Sequence, residues 1–470
     1  MDANKMLARP RQWFIRAAEA VLMASFFCIL PAPAPCGDLA SGPARLTIDR
    51  ARSLALENNP SIRAARAGTE ASSARVSAAW SAFFPRLDLH EAYERTNTPP
   101  AVFTHKLSQE IFSQPDFAID RLNNPSPINN WKTRLVLTQP LFTSGREITG
   151  LQTAHVQDDM SAIETHAQEQ EVIFRVDEAF FQAILARERV DVLDAALKTT
   201  RADEKLAEER HAAGLALKSD ALAAHVQLIS RERERFQAAG DMAIAHARLN
   251  ETLGLPQSTP WELVPPDGPL PIPDQDETVE TWITQAQTQR PEILLARKEG
   301  RLAELRVREA RLRFLPDLNL SGAYEANASD FGPADGDSWS IGLAASINLF
   351  SGLGDRARVA EANAEAKRTA AHADSVLSRV EREVREAFIR RQVASRQLQV
   401  SCEAVAQAEE SLRILRERYS SGLALMAEVL AAEEALRTAR LSEVRARFDV
   451  RLALSALKLN AGVLAPGTLP

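Results

Sequence analysis

FFPRLDLHEAYE, residues 83–94, returns later in the chain as FLPDLNLSGAYE, residues 314–325, with seven of the twelve positions identical. In both copies a proline, Pro85 or Pro316, follows a proline-free stretch of about 23 residues and precedes residues that alternate between apolar and polar. Proline cannot continue a helix, and alternation with a period of two is typical of a β-strand. The sequence therefore predicts two copies of a unit in which a helix ends at a proline and a strand begins.

A second pair of segments defines the length of the repeat. ERHAAGLALKSDAL, residues 209–222, matches ERYSSGLALMAEVL, residues 417–430, at seven of fourteen positions. These segments are 208 residues apart, whereas the proline segments are 231 apart, so the first copy carries about 23 extra residues between its two strands. We predict structural repeats at 47–254 and 277–462, a linker with seven prolines at 255–276, and a tail at 463–470.

Long helices are predicted because helix breakers are missing. No proline occurs at residues 141–255 or 355–461, so each repeat is expected to contain a helix of about 70 residues, a turn marked by glycine and a return helix of about 40. In the second repeat a heptad pattern places Leu377 and Val384 in one seam, with Arg391 as its exception. At ~1.5 Å per residue the long helix measures roughly 100 Å, which favours a hollow helical cylinder over a compact bundle.

The predicted strands have the length and the alternation of strands that cross a membrane. They are placed at about 86–96, 131–142, 317–326 and 339–350. In the first repeat Leu135, Leu137 and Leu141 share the apolar face, on which Glu91 and Gln139 also fall. Aromatic residues suited to membrane interfaces stand near the strand ends, namely Tyr93, Trp131, Tyr324 and Trp339 at one end and Phe142 and Phe350 at the other. Four strands cannot close a barrel, so a chain that spans the membrane in this way must oligomerise.

The N-terminus has the features of a secretory signal peptide, predicted at 1–36. Four basic residues precede an apolar stretch at residues 17–30, which small residues and prolines follow. Cys36 is a candidate for lipidation, although Pro33 and Pro35 stand where a lipoprotein signal has a bulky apolar and a small residue. Cys402 is the cysteine that clearly belongs to the mature chain, so a disulfide framework is excluded.

Composition and motifs argue against several classes of function. The net charge is −7 and no basic stripe occurs, so nucleic acid is not an expected partner. No histidine or cysteine spacing suits a metal, and no nucleophile–base pair or phosphate loop is present. The chain is therefore predicted not to be an enzyme and to have no metal or cofactor.

Taken in order, these segments resemble the TolC family of outer-membrane factors over essentially the whole mature chain. The likeness includes the strand-to-helix segments QPLFTSGR, residues 139–146, and INLFSGLGDR, residues 347–356, and two R-x-x-x-G-L turns. The resemblance implies a mainly helical fold with membrane strands, a trimeric 12-stranded β-barrel in the outer membrane above a periplasmic α-helical barrel. It also implies a passive exit duct of a tripartite efflux or type I secretion system, with a periplasmic adaptor and an inner-membrane pump as partners.

The same resemblance assigns candidate site residues at the helix turns. Those expected to dock on the adaptor are Arg210, Gly214 and Leu215 in the first repeat and Arg418, Gly422 and Leu423 in the second. Asp220 and Tyr419 match positions that are linked when the family's entrance is closed, and Glu428 matches an acidic ring at that entrance. Ala424 stands in place of the family's arginine and Ala431 in place of a second ring acid. Asp220 and Glu428 have an alternative role, because acids near a helix start favour its N-terminus.

A soluble periplasmic coiled-coil scaffold or adaptor is the rival interpretation. Such a protein would also carry a signal peptide and long heptads. It would not need four amphipathic strands of membrane length with aromatic ends.

Overall fold

The structure is a computed structural model that describes residues 44–266 and 277–464. The predicted signal peptide with Cys36, most of the predicted tail and part of the linker lie outside these residues. The described chain forms two compact units. We call them the strand unit, residues 78–148 and 312–352, and the helical unit, which comprises residues 44–77, 149–266, 277–311 and 353–464.

Six strands occur in the described residues. They are β1 (Ala44–Leu46), β2 (Arg86–Thr96), β3 (Ile128–Thr143), β4 (Trp261–Leu263), β5 (Asp317–Ala328) and β6 (Gly336–Ser346). In the helical unit β1 pairs with β4 in parallel. In the strand unit the other four form one antiparallel sheet in the order β2–β3–β5–β6, so each repeat contributes one edge strand and one central strand.

Residues that are directly paired in neighbouring strands share a face. On one face of this sheet the paired residues are mostly apolar. Leu89 lies opposite Leu135, Leu135 opposite Tyr324, and Tyr324 opposite Trp339. Five large apolar side chains on this face are at least 60% exposed in the single chain, namely Leu87, Leu89, Trp339, Ile341 and Leu343. The two polar residues predicted for this face are hydrogen-bonded within the sheet. Glu91 accepts from the Thr133 hydroxyl at 2.6 Å, and Gln139 donates to the Pro140 carbonyl at 2.7 Å.

The end of the sheet near Pro85 and Pro316 differs from the predicted alternation. β6 stops at Ser346, opposite Asp317, whereas the sequence predicted a strand to residue 350. The next residue of β5 would be Pro316, which has no N–H to extend the ladder. Phe350 therefore lies beyond the strand and is 77% exposed.

A β-bulge also changes the predicted face of one leucine. The ladder between β3 and β5 is irregular between Pro140 and Phe142, and Phe142 rather than Leu141 lies opposite Leu318. A bulge inserts one residue that has no opposite partner. Phe142 thus takes the place on the apolar face that simple alternation assigned to Leu141.

Two of the four aromatic residues predicted for one membrane interface, Tyr93 and Trp131, come together at the other end of the sheet, whereas Tyr324 and Trp339 pair with each other at the level of Leu135. The rings of Tyr93 and Trp131 are 4.7 Å apart, and Phe331 joins them at 5.0 Å from Trp131. Phe331 lies in the β5–β6 connection, outside the predicted strands, so strand alternation did not identify it.

The helical unit is dominated by two helices of 67 residues and two of about half that length. The α-helices of the described residues, in both units, are α1 (Ile48–Asn58), α2 (Pro60–Trp80), α3 (Pro99–Ser108), α4 (Ile119–Asn123), α5 (Arg146–Ala212), α6 (Lys218–Leu253), α7 (Val279–Gln289), α8 (Pro291–Leu312), α9 (Gly354–Ser420) and α10 (Met426–Asn460). Each long helix is roughly 100 Å in length at ~1.5 Å per residue. No helix of the described ranges is long and apolar enough to cross a membrane.

The heptad seam of α9 is buried, and its exception has a partner. Val380, Val384 and Ala387 are at most 5% exposed. Arg391 is equally buried, and its guanidinium donates to Glu277 at 2.6 Å. A buried arginine is tolerated here because a carboxylate neutralises it.

A buried aspartate joins three helices of the helical unit. Asp177 of α5 is fully buried and accepts two 2.7 Å hydrogen bonds from Arg52 of α1. The same carboxylate accepts a third from the Ser455 hydroxyl of α10. Bidentate, charge-assisted pairing of this kind holds α1 and α10 against the middle of α5.

We expect Asp177→Ala to destabilise the protein by about 2–3 kcal/mol, because Arg52 and Ser455 lose their partner inside the core. Asp49→Ala is the matched control, since Asp49 contacts the same arginine but is 87% exposed. Thermal unfolding followed by circular dichroism measures both variants. Equal effects of the two substitutions would contradict the structural role of Asp177.

Candidate functional site

The two predicted helix turns have the same geometry. The Leu215 N–H donates to the Arg210 carbonyl and the Leu423 N–H to the Arg418 carbonyl, both at 2.8 Å. Gly214 and Gly422 have φ values of +72° and +75°, the left-handed conformation that closes such Schellman turns. A Cβ at either glycine would meet no atom within 4 Å, so backbone conformation rather than space requires glycine there.

Four leucines stand exposed at these turns. Leu215 and Leu423 were predicted as site residues, and Leu217 and Leu425 follow them in the same G-L-A-L segments. All four are at least 66% exposed. We call them the tip leucines, and such repeated exposure of large apolar side chains is typical of an interaction surface.

The turns of the two repeats are joined by Arg210. Its guanidinium donates to the carbonyl of Tyr419 at 3.1 Å and to that of Ser420 at 3.3 Å. Its central carbon also lies 5.0 Å from the centre of the Tyr419 ring. This cation–π contact and the two hydrogen bonds fix the end of α9 against the end of α5. Arg418, at the equivalent position, instead donates to the Leu423 carbonyl of its own turn.

The expected link between Asp220 and Tyr419 is not a hydrogen bond in this structure. The Tyr419 hydroxyl is buried and has no hydrogen-bond partner among the described residues. Burial raises the pKa of Tyr419, and the charges of Asp220 and Asp203 raise it further against the opposing effect of Arg210. Arg210 rather than Asp220 therefore makes the direct contacts with Tyr419.

Glu428 and Asp220 occupy equivalent positions at helix starts. Each is the third residue of its helix, α10 or α6. The exposed Glu428 carboxylate accepts the N–H of Leu425 at 3.1 Å, so it satisfies one free donor of the first turn. The helix-start role proposed as an alternative for Glu428 is thus observed, and it leaves the negative charge exposed.

Comparison with known proteins identifies the family. The profile of the outer membrane efflux protein family matches residues 51–255 and 282–463. The chain belongs to this family. It is therefore an outer-membrane protein of a family of transport ducts, and the rival interpretation as a soluble scaffold is disfavoured.

Individual relatives match most of the chain's length, and a solved structure has a similar fold. The chain is 26% identical over 464 residues to Protein CyaE of Bordetella pertussis, covering 97% of this chain and 93% of that protein. It is 24% identical over 418 residues to the alkaline protease secretion protein AprF of Pseudomonas aeruginosa, covering 87% and 83%. The crystal structure of the CmeC outer membrane channel of Campylobacter jejuni has a similar fold, with a TM-score of 0.75, 16% identity and coverage of 93% and 94%.

A cluster of two acids and an arginine next to the turns was not predicted. Arg416 of α9 donates to Asp203 of α5 at 3.0 Å and also to Glu433 of α10. Burial raises the pKa of Glu433 to about 8, and a hydrogen bond with Asp203 raises it as well. Its sequence signal is an acid on an apolar stripe, because Met426 and Val429 precede Glu433 at helical spacing on the buried side of α10. No group of three or more histidine, cysteine or acidic residues in the described ranges is arranged to bind a metal.

The raised pKa of Glu433 predicts that stability falls as pH rises. The pKa of Glu433 rises from the ordinary value of 4.5 to about 8 in the folded protein, so folding takes up a proton at pH values between these two. The stabilisation is full below pH 4.5 and is lost as the pH passes 8. Glu433→Gln should therefore remove most of this loss of stability, which is on the order of 2 kcal/mol per chain at high pH.

The measurement is thermal unfolding at pH 5, 7 and 9. Glu409→Gln is the matched control, because Glu409 on α9 is exposed and pairs with Arg440 at 2.8 Å. If both variants keep the wild-type pH dependence, Glu433 does not titrate in this range.

Proposed function

We propose that three copies of this chain form an exit duct in the outer membrane. The observation that carries the proposal is the sheet order β2–β3–β5–β6, which leaves β2 and β6 as free edges. Free edges cannot remain unpaired in lipid, so β6 of one copy pairs with β2 of the next until the ring closes. Three four-stranded sheets give a barrel of twelve strands, and the number three comes from the resemblance to the TolC family.

The two faces of the sheet support this arrangement. The apolar face exposes large side chains that would contact lipid, whereas the opposite face carries charged and polar groups that would line water. Residues on this polar face include Asp88, His90, Lys132, Arg134 and Glu325. Lys132 and Glu325 form an ion pair at 3.2 Å.

The long helices would form the periplasmic part of the duct, with the turns at its entrance. The tip leucines and Arg210 offer a surface for a periplasmic adaptor, which would connect the duct to an inner-membrane pump. Three copies of Asp220, Tyr419 and Glu428 would surround the entrance. The contacts of Arg210 would hold it closed in place of the family arginine, where this chain has Ala424.

We further propose a secreted polypeptide as the cargo. AprF, which matches 87% of this chain, is named for the secretion of alkaline protease. The test compares proteins in the culture medium of the parent strain and of a strain that lacks this gene, by mass spectrometry. Loss of one or more secreted proteins is expected. An unchanged set of secreted proteins, together with new sensitivity to small toxic compounds, would assign the duct to small-molecule efflux instead.

If three copies form the barrel, a new arginine should disrupt it on the apolar face of β6 but not on the polar face. The mature protein should be a detergent-dependent trimer in light scattering. Leu343→Arg on the apolar face should cost roughly 2–4 kcal/mol in the membrane and abolish most trimer. Ala344→Arg, its neighbour on the polar face, should leave the trimer intact, and both side chains are exposed in the single chain. A soluble monomer, or equal effects of the two variants, would contradict the proposed barrel.

We expect the channel to prefer cations because of Glu428 at its entrance. Three exposed carboxylates around a narrow mouth attract cations and repel anions. Glu428→Gln keeps an acceptor for the Leu425 N–H but removes the charge, so cation selectivity in planar bilayers should fall. Glu410→Gln is the control, since this exposed acid on α9 pairs with Arg413. Unchanged selectivity in Glu428→Gln would show that the residue only caps α10.

A further inference from the structure

The connection between β2 and β3 is a folded element rather than an open loop. We call residues 97–127 the cap; it contains α3, a 3₁₀ turn at Gln114–Phe117 and α4. The Lys106 ammonium donates to Asp116 at 2.6 Å, and Phe112 packs between Phe103 and Phe117 at 4.8 and 5.1 Å. The hydrogen bonds from Lys106 and Ser113 lower the pKa of Asp116 to about 2, so the ion pair persists at any ordinary pH. This segment is the extra length that distinguishes the first repeat from the second.

The cap is attached to the polar face of the sheet. His105 of α3 lies 3.2 Å from Glu94, and Gln109 donates to the Asn130 side chain at 2.8 Å. Asn130 donates in turn to the Asn327 side chain at 3.0 Å. Glu94 and Asn130 are directly paired, and they share their face with Lys132 and Asn327. Gln109, Asn130 and Asn327 are at most 2% exposed, so this chain of amides is a built attachment.

The cap also reaches the opposite edge of the sheet. α3 begins just after β2 and contacts β3, β5 and β6. At Gly336, the first residue of β6, a Cβ would lie 2.5 Å from the Ser108 carbonyl oxygen and 2.8 Å from Glu110. The end of α3 therefore contacts the backbone of Gly336 directly, and any side chain at this position would clash with it. The cap crosses the sheet from one edge strand to the other.

We propose that the cap narrows the outer exit of the duct and limits cargo by size. This inference rests on the proposed function, in which the polar face lines the channel. The chain enters and leaves the sheet for its long helices at the end near Pro85 and Pro316, so the cap lies at the outer end. Three caps on the inner face would let an extended polypeptide or a small solute pass and would exclude a folded domain. Contacts between caps would cover the large apolar side chains that are 47–75% exposed in the single chain, namely Leu107, Ile111, Phe117 and Ile119.

The test measures access to a cysteine on the polar face beneath the cap. Ser340→Cys is placed on β6 in a Cys402→Ser background, and intact cells are treated with a small maleimide or a polymer-linked maleimide. Gly336→Val should displace the cap, because its side chain would overlap Ser108. Gly332→Val is the matched control, since a Cβ at Gly332 meets nothing within 4 Å. Gln109→Ala loosens the attachment of the cap without changing the sheet. It replaces Gly336→Val in the labelling experiment if Gly336→Val fails to assemble.

We expect the small reagent to label Ser340→Cys in every variant. The polymer reagent should react slowly in the parent and in Gly332→Val and several-fold faster in Gly336→Val and Gln109→Ala. Equal polymer labelling in the parent and in both cap variants would overturn the cap as a size limit while leaving the duct in place. Failure of the small reagent to label Ser340→Cys in assembled trimers would instead overturn the proposed lining of the channel.

Discussion

The hydrogen-bonding groups on the two edges of a four-stranded sheet constrain everything else about this chain. β2 and β6 each present a row of backbone N–H and C=O groups with no partner in the sheet. One face of the sheet is apolar along its length, so water cannot satisfy these groups if that face meets lipid. Duplication supplies the solution, because the first repeat provides one edge and the second provides the other. Head-to-tail pairing of unlike edges closes a ring, whereas two identical edges would join only two copies.

The sequence predicted the helices well because their signals are local. The absence of prolines and the heptad spacing are properties of the helical segments themselves, and the turn glycines lie just after the long helices. The long helices and their turns were confirmed. Strand ends were predicted less well, since a strand needs a partner as well as a pattern. The alternation continues to Phe350, but the ladder stops at Ser346 because Pro316 occupies the next place in β5. Pro140 likewise precedes the bulge that alternation did not anticipate.

Contacts between the repeats could not be predicted from periodicity. A heptad or a strand pattern tells which face of an element is buried, but not which residue two hundred positions away lies against it. Arg210 was expected only as part of a turn, yet it makes the direct contacts with Tyr419. The resemblance to a family placed Asp220 opposite Tyr419, and here that pair has no hydrogen bond. In this chain the direct contacts of Tyr419 therefore come from Arg210 rather than from Asp220.

Duplication also determines how often each feature occurs in a threefold assembly. A feature present in both repeats, such as the turns with their tip leucines, would appear six times around the axis. A feature of one repeat, such as the cap or Glu433, would appear three times. The surface offered to an adaptor is then nearly sixfold, so a partner can engage either repeat with similar contacts. The outer exit and the cluster around Glu433 would instead be threefold, since each occurs once per chain, so the adaptor surface and the exit would differ in symmetry.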